Sequence, residues 1–127
     1  MSLLTDFFMR GVDLVSNLGP PPFQAKVTFD AMWLGEIEDD LFTVEIKDPS
    51  GELGWLYGKC GIVAYSKGIQ TLAIRRTDLQ AIAEQVLKEK KFITDGNPLE
   101  HGKLKRIEKS IVGFIHIDHL RKYISQI

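Results

Sequence analysis

Apolar and polar positions along the chain change period several times, and each change marks an element. Leu3, Leu4, Phe7, Phe8, Val12, Leu14, Val15 and Leu18 recur at helical spacing, with Asp6, Arg10, Asp13 and Asn17 opposite them. The spacing predicts a helix over 3–18, stopped by Gly19 and Pro20-Pro21-Pro22. The period then falls to two. In "KVTFDAMWL" (26–34), Val27, Phe29 and Ala31 fall on one face, and Thr28, Asp30 and Met32 on the other. After the polar turn "GEIEDD" (35–40), "LFTVEIK" (41–47) alternates again, with Phe42, Val44 and Ile46 dry. These two segments predict an antiparallel hairpin.

A turn-rich loop, "DPSGELG" (48–54), follows, and then two further strands, "IVAYS" (62–66) and "QTLAIR" (70–75). Thr77-Asp78-Leu79-Gln80 has capping-box spacing and opens a helix striped with Leu79, Ile82, Ala83, Val86 and Leu87. Lys88, Lys90 and Lys91 near its end suit the helix dipole. Residues 94–110 read as a long polar loop, "IVGFIHI" (111–117) as a strand, and Asp118 as the cap of a short helix carrying Leu120, Tyr123, Ile124 and Ile127. The expected order is helix, four strands, helix, strand, helix. That is an α/β domain of the α+β type, with helices on a central mixed sheet. Without strict βαβ alternation, a doubly wound parallel sheet is not expected.

Composition adds little to this picture. At 127 residues, 44% hydrophobic and 26% charged, the chain is expected to fold as a single domain, 1–127. No apolar run has the length of a membrane span, and the first residues lack the pattern of a signal peptide. The lone Cys60 rules out an internal disulfide and suits a reducing, cytoplasmic setting.

Charge adds more. Residues 1–50 hold 9 acidic and 3 basic side chains, whereas residues 88–127 hold 5 and 9. An acidic front can hold a cation and a basic back can meet a polyanion, although uneven solvation of the surface accounts for both.

The chemistry-bearing candidates are Asp30 on the first predicted strand and Glu45 and Lys47 on the second. In a hairpin, Asp30 and Glu45 approach on one face. Two carboxylates with open space between them suit Mg²⁺ or Mn²⁺, which keeps waters and takes substrate phosphate oxygens. At period two, Lys47 projects beside Glu45, where it orients the attacking water or neutralises developing charge.

With "VTFDAMW" followed by "FTVEIKD", residues 27–87 resemble the restriction-endonuclease-like PD-(D/E)XK nucleases, although Phe29 rather than Pro precedes Asp30. The resemblance implies a restriction-endonuclease-like fold and a resolvase-like or related metal-dependent DNA endonuclease, often a homodimer. It implies Asp30 and Glu45 as metal ligands and Lys47 as the catalytic amine. Lys103, Lys105, Arg106 and Lys109 then track the DNA backbone.

The alternative is a non-catalytic α/β binding or regulatory module. Its recognition surfaces are the acidic turn Glu36, Glu38, Asp39 and Asp40 and the segment 94–110. Charges alternating on the wet face of a half-buried strand explain Glu45 and Lys47 equally well.

Other motifs carry less. Asp6 and Asp13 lie two turns apart on the first helix, too far to share one ion easily. His101, "HIDH" (116–119) and Cys60 do not make a four-ligand zinc set. "GKCG" (58–61) precedes a strand rather than joining two helices, and "GWLYGKC" lacks phosphate-loop spacing. Trp55 and Tyr57 beside Lys59 are candidates for stacking on bases, or for filling a sheet edge.

Overall fold

The computed structural model describes residues 31–126. The predicted 3–18 helix, the strand residues before Ala31, and the candidates Asp6, Asp13 and Asp30 lie outside them. The described residues are α+β in class and divide into two compact units, each with its own sheet. Among them, no helix is long and apolar enough to cross a membrane.

The first unit comprises residues 31–36, 59–76 and 123–126 of the described chain. Its strands are β1 (Ala31–Glu36), β3 (Ile62–Lys67), β4 (Gln70–Arg75) and β7 (Ser125–Gln126), in the spatial order β1-β3-β4-β7. β1 runs parallel to β3, with Ala31 opposite Ile62 and Trp33 opposite Ala64. β3 and β4 form a hairpin from Ile62↔Arg75 to Lys67↔Gln70, where Gly68 takes the left-handed φ of +62° that the two-residue turn requires. Ile62, Val63, Ala64 and Tyr65 are all buried, as befits a strand covered on both faces. Ala31, Ala64 and Ala73 cluster with Ile62, and Trp33 packs against them.

The second unit comprises residues 37–58 and 77–122. β2 (Leu41–Lys47), β6 (Ser110–His116) and β5 (Leu104–Ile107) form an antiparallel sheet in the order β2-β6-β5. Phe42 pairs with Ile115 and Val44 with Gly113, while Leu104 pairs with Gly113 from the other side. Helix α1 (Arg76–Val86) begins one residue ahead of the expected cap and buries Leu79 and Ala83. Leu87, just past its end, lies over Gly113: a Cβ there would come 2.4 Å from Leu87 Cδ1. On the opposite sheet face Leu41, Val112 and Phe114 form a second cluster, covered by Ile93 and Leu99.

Three expectations are corrected. Among the described residues, the hairpin expected between the first two predicted strands does not form. β1 and β2 belong to different sheets, β1 joining β3 and β2 joining β6. The intervening turn closes locally instead, with Asp39 and Asp40 both at positive φ and Leu41 N donating to Glu38 O at 3.0 Å. Ala31 and Met32 are buried in succession at the start of β1, as Leu41 and Phe42 are at the start of β2.

The polar segment 94–110 is not wholly loop. Leu104–Ile107 forms β5 and turns through Glu108, at φ +56°, into β6. Its basic residues hid a strand whose burial rests on Leu104 alone. Finally, the helix expected after Asp118 is a single 3-10 turn, Ile117–His119. Its apolar residues divide: Leu120 is fully buried, Tyr123 is 45% exposed, and the chain re-extends as β7.

Candidate ligand groove

Glu45 and Lys47 share a strand but not a face. A bulge interrupts β2 between them, so that Glu45 stands opposite Val112 while Lys47 stands opposite Ile111. Val112 and Ile111 are adjacent on β6 and point to opposite sides of the sheet. An extra residue in one strand breaks the period-two rule at the point where the sequence pattern relied on it.

Glu45 is engaged in its own unit. Oε1 accepts from Trp55 N at 3.2 Å and Oε2 from Ser110 Oγ at 3.5 Å. The loop that presents Trp55 is organised by Asp48, whose Oδ1 accepts from Ser50 N, Ser50 Oγ and Glu52 N. The hydrogen bond from Ser50, with those from the loop backbone, holds the Asp48 carboxyl below its usual pKa. The chain then returns beside β2, Leu53 bridging to Lys47 and Gly54 N donating to Ile46 O at 2.8 Å. Glu45 thus fixes the entry to the 3-10 turn Trp55–Tyr57, which buries Leu56 completely. Trp55 and Tyr57 remain half-buried.

The predicted nucleic-acid set is split in the same way. Arg106 pairs with Ile111, and Lys105 with Val112 on the other face. Lys103 precedes β5 with its carbonyl bonded to Phe114 N, and Lys109 is exposed in the β5–β6 turn. Strand alternation therefore sends Lys105 and Arg106 to opposite sides of the sheet.

The face that receives Lys47 and Arg106 carries a groove of about 450 Å³. Its apolar walls are Ile46, Ala83, Leu87, Phe92, Leu104 and Ile111. Lys47, Lys88, Lys90 and Arg106 line it as well, all exposed, with Glu84 and Tyr57. Lys47, Ile111 and Arg106 form one cross-strand row, two cations flanking an isoleucine. The Arg106 guanidinium stands 5.3 Å from the Phe92 ring centroid, a cation–π contact that holds it over the apolar wall. Among the described residues none of these four cations has an ion-pair partner. Burial, with the nearby Glu84 charge, raises the Tyr57 hydroxyl above its ordinary pKa and keeps it a neutral donor. Sequence reasoning singled out Lys47 and Arg106 but missed the groove. Its far wall comes from α1, and only tertiary packing brings the helix over this sheet.

The histidines, dispersed in sequence, also gather. His101 stacks on His119 with centroids 4.1 Å apart, and its Nδ1 accepts from His116 N at 2.9 Å. His116 Nδ1 accepts in turn from Asp118 N, and Asp118 is paired with Arg121 at 2.7 Å. Among the described residues, no group of three or more His, Cys, Asp or Glu side chains is placed to hold a metal ion.

Burial, and then the neighbouring His119 and His116, lower the His101 pKa from 6.5. The unfolded chain therefore takes up this proton first as pH falls. The contribution of His101 to stability is complete above 6.5 and is lost as pH drops towards the lowered folded value. Thermal midpoints are expected to fall between pH 7.5 and 5.5 (order-of-magnitude bounds around a histidine titration, roughly one unit either side). The fall is expected to be smaller in His101→Gln; an equal fall in both proteins assigns the effect elsewhere.

Compared with known proteins, the chain matches no family model, no curated protein and no solved structure.

Proposed function

We propose that this chain is a non-catalytic binding module whose recognition site is the cation-lined groove of the second unit. The carrying observation is the Lys47–Ile111–Arg106 row, which sets two cations across an apolar surface. The groove volume falls within the ~300–1,000 Å³ usual for small-ligand sites, which combine apolar walls with a few polar anchors. Exposed cations without acidic partners favour a ligand that brings negative charge.

A metal-dependent nuclease acting on DNA calls for Glu45 and Lys47 beside Asp30 at one metal site. The bulge that parts Glu45 from Lys47, and the bonds from Trp55 and Ser110 to the Glu45 carboxylate, support the binding module over the nuclease.

Anilinonaphthalene sulfonate, an apolar anion that fluoresces on leaving water, tests the proposal. The native protein is expected to bind it saturably. Lys47→Glu combined with Arg106→Glu is expected to weaken binding at least about tenfold, the equivalent of about 1.4 kcal/mol, with no change in the urea midpoint. Unchanged binding in that variant removes the groove as the site. With Mg²⁺ or Mn²⁺ and supercoiled DNA, wild type and Lys47→Ala are both expected to leave the substrate intact. Cleavage that depends on Lys47 reinstates the nuclease in place of this proposal.

A further inference from the structure

We infer that the ligand of this groove is an aliphatic monocarboxylate, its acid held over Ile111 by Arg106 and Lys47 and its chain lying on Leu87 and Leu104. The inference rests on the groove being the recognition site and goes on to name the chemistry of the occupant.

Three features select that class. The apolar surface is mainly aliphatic, from Ile46, Leu87, Leu104 and Ile111. Of the two aromatic residues that line it, Tyr57 and Phe92, the latter already carries the Arg106 guanidinium against its ring, which leaves less of that face free to stack on an aromatic ligand. Pinned there, the guanidinium offers a fixed fork of donors, the geometry that a carboxylate accepts in bidentate fashion.

The charges complete the choice. Lys47 and Arg106 flank Ile111 on neighbouring strands, so their Cα atoms lie roughly 10 Å apart across two strand spacings. Their long side chains can converge on a headgroup seated between them. Glu84 is the single anionic side chain lining the groove, and its carboxylate accepts from Gln80 Nε2 at 3.2 Å. A cationic amphiphile would meet Lys47, Lys88, Lys90 and Arg106 as like charges. A neutral one would bring no counter-charge to any of the four.

Calorimetric titration of the full chain, with each probe kept below its micellar concentration, tests the inference. Decanoate is expected to bind at one site, at least about tenfold more tightly than decanol, with decylammonium weaker still. Arg106→Gln, which leaves Lys47 in place, is expected to weaken decanoate at least about fivefold while leaving decanol unchanged. Decanol binding as tightly as decanoate, or decanoate binding indifferent to Arg106→Gln, overturns the inference. Binding of the naphthalene sulfonate dye without any binding of decanoate also overturns it, and leaves the groove standing as the recognition site. If neither ligand binds, both the inference and the proposed function fall.

Discussion

Gly54→Ala is expected to destabilise the second unit by about 2–3 kcal/mol, at the upper end of the usual range for overpacking. The backbone of Gly54 is extended, with φ −78° and ψ −177°, so the cost does not lie in its dihedrals. It lies in space. A Cβ at position 54 would stand 2.5 Å from the carbonyl oxygen of Glu45, 2.7 Å from its carbonyl carbon and 2.7 Å from its Cγ. Two of those atoms are backbone of β2, a strand bonded along its length to β6, and they have little freedom to retreat. Relief requires the loop to lift away, which breaks the bond from Gly54 N to Ile46 O and pulls Trp55 N from the Glu45 carboxylate.

Glu45→Gln is the informative companion. It removes the charge but keeps an oxygen acceptor for Trp55 N, and it is expected to cost under about 1 kcal/mol. Urea denaturation of the two variants checks both values. A Gly54→Ala midpoint equal to that of wild type shows that the loop does not press on β2 as described.

Phe114→Ala is expected to cost about 3–5 kcal/mol, because it removes the transfer free energy of a large ring and leaves a cavity behind. Phe114 is 1% exposed and packs with Leu41 and Val112 beneath Ile93 and Leu99. Its main chain is tied at both polar groups, N donating to Lys103 O and O accepting from Gly102 N. The cover formed by Ile93 and Leu99 belongs to an irregular segment, so its attachment depends on the ring more than a neighbouring strand would. Hydrogen exchange is expected to show protection lost within 37–58 and 77–122 while β3 and β4 keep theirs. Uniform loss across both sheets contradicts a locally held cluster. Phe114→Leu, which retains most of the volume, is expected to recover more than half of the stability.

The sequence pattern by itself determined most of the described elements. β2, β3, β4, β6 and α1 lie where alternation and helical spacing put them, because the period of burial is a local property of extended or helical backbone. The turn residues of the 48–54 loop were legible for the same reason: Asp48 bonds to groups only two and four positions ahead. β5 escaped because Lys105 and Arg106 mask a strand whose one buried residue is Leu104.

Only the tertiary structure decided how strands are shared between sheets, since partner choice depends on residues far apart in the chain. Ala31 faces Ile62 rather than β2, and Leu41 faces His116. It also decided the fate of Glu45 and Lys47. One extra residue at Ile46 reverses every later side chain of the strand, and no local pattern of hydrophobic and polar positions announces a bulge. The same reversal that takes Lys47 away from Glu45 puts it in line with Arg106, so the groove exists because the period failed.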